Sequence, residues 1–182
     1  MIVVLMGVSG SGKTTIGTLL AQRTGTIFAD ADDYHPQANK DKMRAGIPLN
    51  DEDRQPWLEI LNGLLRGWYQ SGESGVLACS ALKEKYRETL ESGIPAASMS
   101  FVWLDPSKKV LAERVAARHH QYMNPNLLDS QIATLEPPKD ALRVENDSTP
   151  EQAVDQILAH VSLTANAAVD SKAGQEKQQG KA

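Results

Sequence analysis

Short apolar runs alternate with longer stretches of helical period along the chain. The runs "IVVLM" (residues 2–6), "TIFAD" (26–30), "GVLACS" (75–80), "SFVWLD" (100–105) and "ALRVEN" (141–146) are β-rich and nearly continuous in their apolar character. That pattern suits strands covered on both faces, as in a parallel sheet. The segments between them supply right-handed helical crossovers, so the alternation predicts βαβ units and a three-layer α/β domain. The longest helix is expected in "NDEDRQPWLEILNGLLRGWYQ", capped by Asn50 or Asp51, with Trp57, Leu58, Leu61, Leu64, Leu65 and Trp68 forming one core stripe. From about Ala165, "ANAAVDSKAGQEKQQGKA" loses its large apolar residues apart from Val169 and reads as a disordered tail over 165–182, which leaves one domain over 1–164.

Composition agrees with a single core: 182 residues at 41% hydrophobic content suit one domain better than two. A net charge of −4 argues against a nucleic-acid or anionic-membrane partner and favours a small molecule. The start "MIVVLM" lacks the basic flank and apolar length of a signal peptide, no run approaches membrane-spanning length, and Cys79 is the one cysteine. A cytoplasmic protein with no membrane association is the expectation.

The strongest chemical signal is "GVSGSGKT", residues 7–14, which satisfies G-x-x-x-x-G-K-[ST] between an apolar run and an amphipathic helix. Gly7, Gly10 and Gly12 let the backbone bring N–H groups to phosphate oxygens, aided by the dipole of the following helix. Lys13 would reach the β- and γ-phosphates, and Thr14 would place its hydroxyl on Mg²⁺. The ATP-binding candidates in this segment are Gly7, Ser9, Gly10, Ser11, Gly12, Lys13, Thr14 and Thr15.

Next in the chain, "FADADDYHP" sets Asp30, Asp32, Asp33 and His35 directly after the second apolar run. If the strand continues through "FADAD", Asp30 and Asp32 share one side at its carboxyl end and Asp33 points away. Two carboxylates beside a phosphate-binding loop suit two tasks. Asp30 would hold Mg²⁺ through a water, and Asp32 would accept the proton of the phosphoryl acceptor as a catalytic group. Alone, the same aspartates would be read as decoration at the start of a helix near Pro36. His35 could donate to a substrate oxygen or hold the turn together.

Taken together, "GVSGSGKTT", "DADDYHP", "NKDKMRAGIPLNDEDRQPWL" and "CSALKEKYRETL" resemble the small ATP-dependent gluconokinases, relatives of the shikimate kinases. The resemblance runs from Met1 to about Val161. It implies a P-loop kinase fold with five parallel strands, a mobile helical lid at about 118–137, and often a homodimer. The activity it implies is transfer of the ATP γ-phosphoryl group to the 6-hydroxyl of D-gluconate. Two positions depart from the family pattern: Ala31 stands for a usual glycine, and "HQY" at 120–122 stands where Gly-His-Phe is expected.

An anionic, hydroxyl-rich acceptor needs cations, and Arg54, Lys83 and Arg87 are the residues best placed to join Asp32 and His35 in binding it. Arg54 could instead pair with Asp51 or Asp53, and Lys83 and Arg87, four apart, could form an ordinary solvated helix face. Cys79 is read as a small buried strand residue. In "LAERVAARHHQYMNPNLLDSQIATLEPP", which resembles the lid and the helix leading into it, Arg114 and Arg118 share a helical face. Both are assigned to ATP, with Arg118 also counted as catalytic, through contact with the phosphates or stacking on adenine when the lid shuts. Two alternatives stay open: a nucleoside-monophosphate kinase reading its substrate through Lys40, Lys42 and Arg44, and a nucleotide-sensing module that transfers nothing.

Overall fold

The structure, a computed structural model, describes residues 1–117 and 125–163. Arg118, the "HQY" segment and the tail at 165–182 lie outside the described residues. Strands β1 (Ile2–Met6), β2 (Ile27–Asp30), β3 (Gly75–Ala78), β4 (Met99–Leu104) and β5 (Leu142–Val144) form one sheet in the order β2-β3-β1-β4-β5. Every pairing is parallel, with Val4 opposite Leu77 on one side and Phe101 on the other. Each of the five apolar runs supplies one strand.

Alternation along β1 divides the interior into two layers. Ile2, Val4 and Met6 face Trp57, Leu58, Leu61, Leu65 and Trp68 of helix α3 (Asp51–Ser71). Val3 and Leu5 face Ile16, Leu20 and Ala21 of α1 (Lys13–Thr24) and Val154 and Ile157 of α7 (Pro150–His160). Leu58, Leu61 and Leu65 are fully buried, each contributing roughly 1.5–3 kcal/mol of transfer free energy. Leu64 lies at the edge of that stripe. Asn50 starts α3 through a reciprocal capping box with Asp53, as the sequence predicts of a cap at this position.

One boundary differs from expectation. The strand stops at Asp30, and Ala31–Tyr34 form a 3₁₀ turn instead of continuing extended. The Asp30 side chain causes this by accepting from the Asp32 N–H at 3.1 Å, which bends the chain back on itself. From above the turn, the Trp57 indole N–H donates to the Ala31 carbonyl at 2.8 Å. The Ala31 methyl is 1% exposed within the α3 layer, so a side chain fits at this position. Helix α2 (Gln37–Arg44) follows, then α3; α4 (Glu84–Glu91) follows β3, and α5 (Lys108–Ala117) and α6 (Pro125–Thr134) lie between β4 and β5.

Candidate active site

Among the described residues, the candidate chemistry gathers beyond the carboxyl ends of the strands. The loop from β1 to α1 is shaped by its glycines: Gly7 has φ 141° and Gly12 φ 97°, both unfavourable for other residues. A Cβ at Gly7 would sit 2.6 Å from the Leu104 carbonyl oxygen, and one at Gly12 3.3 Å from Asn146 Nδ2. Lys13 curls over the loop and donates from Nζ to the carbonyls of Gly7 (2.9 Å) and Val8 (3.0 Å). Its ammonium therefore lies where loop amides and a phosphate would meet.

Two residues that sequence reading missed complete this half. Asn146, just past β5, donates from Nδ2 to the Ser11 carbonyl at 2.7 Å, and its own carbonyl accepts from Arg114 Nη2 at 2.7 Å. Asn146 thereby ties the loop to the helix carrying Arg114. Its position at the carboxyl end of the run "ALRVEN" was a usable signal, since ligands sit at that edge of such sheets. Gln131 on α6 accepts from the Ser9 N–H through Oε1 at 2.7 Å, a contact with no local signature in the sequence. Gly10, Gly12, Thr15, Arg114, Asn146 and Pro150 line a cleft of about 310 Å³. Ser11 Oγ, Arg114 Nη1 and Asn146 Oδ1 are buried without a hydrogen-bond partner among the described residues. A glycine cradle with an unsatisfied guanidinium nitrogen beside it fits a polyphosphate.

Across from the loop stands the acidic turn. Asp30 Oδ2 accepts from the Thr14 hydroxyl at 2.7 Å, so the hydroxyl and carboxylate expected near Mg²⁺ are already adjacent. Hard oxygen donors of this kind, with room for phosphate oxygens and water, suit Mg²⁺. Among the described residues no cluster of three or more His, Cys, Asp or Glu forms a protein-only metal cage. Asp32 is solvent-accessible, its side chain 89% exposed. Surrounding protein mass, and then the Asp30 charge, nevertheless raise its pKa, while Lys13 pulls it down. Asp32 and Lys13 are thus within electrostatic reach of each other. Asp33 is exposed, and only its carbonyl is held, by Lys40 Nζ at 3.3 Å.

His35 does not project into solvent. Its ring is stacked on Trp57 with centroids 4.3 Å apart and an interplanar angle of 13°. Burial first, then Arg54 and Lys40, lower its pKa to about 4, so the ring is neutral near pH 7.

The basic residues divide into two groups. Arg54 makes no ion pair with Asp51 or Asp53; its Nη1 lies 3.4 Å from the Tyr86 hydroxyl, with its guanidinium 5.8 Å from that ring's centre. Lys83 is the N-cap residue of α4 and so precedes the helix proper. Its Nζ donates to both oxygens of Asp51, at 2.9 and 3.0 Å. Lys85 reaches the same carboxylate at 2.7 Å, and the Tyr86 hydroxyl donates to it as well. Lys85, Tyr86 and Lys83, in that order, hold Asp51 well below the usual carboxylate range. Arg87 is 8% exposed and donates to the carbonyls of Ala81 (3.1 Å) and Leu82 (3.4 Å), bracing a loop in which Ala81 takes φ 44°. The Cys79 thiol is buried and pushed up to about 12, mainly by desolvation, which suits a structural residue. A larger open depression of about 540 Å³ lies between α3 and α4 around Asp51 and Lys85, away from the glycine loop.

A five-stranded parallel sheet whose glycine loop, lysine and facing carboxylates meet at one strand edge defines a P-loop phosphotransferase. A family model described as an AAA domain matches residues 2–138. A probable gluconokinase of Dictyostelium discoideum is 47% identical over 142 residues, covering 76% of this chain and 71% of that protein. The gluconokinase of Gluconobacter oxydans is 44% identical over 161 residues, covering 86% and 89%. The crystal structure of a gluconokinase from Sinorhizobium meliloti superposes with a TM-score of 0.77 at 40% identity, covering 86% of this chain and 89% of that one. The chain belongs to the gluconokinase family.

Proposed function

We infer that this protein transfers the γ-phosphoryl group of ATP to the 6-hydroxyl of D-gluconate, giving 6-phosphogluconate and ADP. The observation that carries the reading is the Thr14 hydroxyl bonded to Asp30 at 2.7 Å, directly beside Lys13 in the glycine loop and two residues from Asp32, in a chain of this family. The acceptor oxygen attacks the γ-phosphorus, its new O–P bond forming as the bond to the bridging β,γ-oxygen breaks, and the hydroxyl proton passes to Asp32. Lys13 neutralises charge on the migrating group. Arg54, poised beside Tyr86, is assigned to the gluconate carboxylate or hydroxyls, and Arg114 to the nucleotide. Thr14 and Asp30 would hold Mg²⁺, the latter through water, and the ion would supply charge neutralisation for the polyphosphate.

Lys83 and Arg87 keep a substrate role in this proposal only through atoms their present partners leave over. A monophosphate acceptor fits less well. Lys42 pairs with Asp53 at 2.6 Å and Arg44 with Asp41 at 3.0 Å, so two of the three candidate cations are already matched. Family likeness also supports a cytoplasmic homodimer, for which light scattering should give twice 19.8 kDa; among the described residues no helix is long and apolar enough to cross a membrane.

The test is ADP release with gluconate, shikimate and the common nucleoside monophosphates offered in turn. Release with gluconate alone is expected. A preference for a monophosphate would replace the acceptor assignment, and tight ATP binding with no acceptor-dependent release would leave a nucleotide-sensing module.

A further inference from the structure

His35 sits in a network whose geometry assigns its proton. The Asp53 carbonyl can only accept, so the Asn39 side-chain atom 2.8 Å from it is the amide nitrogen. That same nitrogen is 3.4 Å from His35 Nδ1, and in a neutral ring Nδ1 must then accept. The ring proton is left on Nε2. Stacking on Trp57 fixes the ring plane, and Trp57 also anchors the turn through the Ala31 carbonyl. The outcome is an N–H whose direction is set from both sides, with Nε2 3.9 Å from Asp32 Oδ1.

We propose that His35 is a positioning residue for Asp32: its Nε2–H captures Oδ1 as substrate binds, turning the other carboxylate oxygen to the acceptor hydroxyl. The separation of 3.9 Å is too long for a hydrogen bond. Asp32 is the mobile partner, being exposed, whereas His35 is 8% exposed and clamped. Hydrogen bonds of catalytic groups commonly tighten only once the substrate is present. A neutral donor suits the task, because it orients the carboxylate without the cationic charge that would make it a poorer base. In this role His35 acts on the acceptor through Asp32. The inference rests on Asp32 being the proton acceptor of the proposed reaction.

The test sets stability against rate. His35→Phe keeps an aromatic ring on Trp57 and removes the N–H; His35→Gln loses the stack but carries an N–H to about the reach of Nε2; His35→Asn carries it one methylene short. With gluconate as acceptor, Phe and Asn should each lower kcat by roughly 10- to 100-fold, the scale of a misplaced reacting group. Gln should retain kcat within about threefold despite a lower Tm, and KM for ATP should stay within about twofold in all three. In an Asp32→Asn background, His35→Phe should cost nothing further.

Rates that follow Tm, with Phe active and Gln impaired, would show a purely structural histidine and overturn the proposal. Equal losses in Gln and Asn overturn it too, as does full additivity with Asp32→Asn. If Asp32→Asn alone is near wild type, the base assignment fails and the positioning role with it. Absence of gluconate phosphorylation by the wild-type chain in the same assay is a separate result and sinks the functional reading instead.

Discussion

The two halves of the site are built from different materials. The nucleotide half is mostly main chain: glycines at φ 141° and 97°, loop amides, carbonyls gripping Lys13, and the Asn146 amide holding the Ser11 carbonyl. The half proposed for the acceptor is mostly side chain, drawn largely from α3 and α4 with its N-cap, and knit by Asp51, Arg54, Lys83, Lys85 and Tyr86. Backbone geometry needs particular residues at fixed spacing and is intolerant of change. A side-chain network can be assembled from any elements the fold brings together. The first half should therefore fail all at once when broken, and the second by degrees.

The largest effect expected is at Lys13. Lys13→Ala removes the cation that follows the γ-phosphoryl group while leaving the carbonyls it touches solvated, so kcat should fall by roughly 10³-fold or more. Circular dichroism and Tm should remain close to wild type. Activity within a few-fold of wild type would remove the glycine loop from the mechanism.

The same contrast explains what could be read from residues alone. Eight consecutive positions, Gly7 to Thr14, carry the nucleotide loop because its function is local in sequence. The sheet was legible because its central strands β1 and β3 bury both faces and so stay apolar throughout, and the flanking strands keep most of that character. Asp51 looked like a capping residue and is also the hub for Lys83, Lys85 and Tyr86, which lie 32 to 35 positions away. No periodicity encodes such a meeting. The turn at Ala31–Tyr34 was missed for a smaller reason: alternation of apolar and polar residues suggested extension, whereas Asp30 bonds its own chain two residues on.

Next in size is Arg54→Ala. Loss of a charged contact with gluconate should raise its KM roughly 10- to 100-fold, with KM for ATP little changed. The mirror experiment is Asn146→Ala, which unties the Ser11 carbonyl while leaving the main-chain carbonyl that holds Arg114, and should raise KM for ATP by about fivefold, leaving KM for gluconate unaltered. If Asn146→Ala moves the gluconate KM as much as the ATP KM, the halves are mechanically coupled and the division drawn above is wrong.

The smallest effect falls on Asp33, and it tests the geometry of the acidic turn more sharply than any large one. A 3₁₀ turn has three residues per revolution, so successive side chains diverge by about 120°. Asp32 is within reach of His35 and Lys13, and Asp33, next in the chain, is carried around to solvent. Its charge is the last-ranked influence on Asp32, and the turn is held through its carbonyl, which substitution leaves in place. Asp33→Asn should accordingly keep kcat and both KM values within about twofold, as exposed substitutions usually do. Asp32→Asn, the same change one position earlier, should lower kcat by roughly 10²–10⁴. A loss of tenfold or more in kcat on replacing Asp33, with Asp32→Asn mild, would mean that the turn presents the other carboxylate to the acceptor, and the roles of the two aspartates would have to be exchanged.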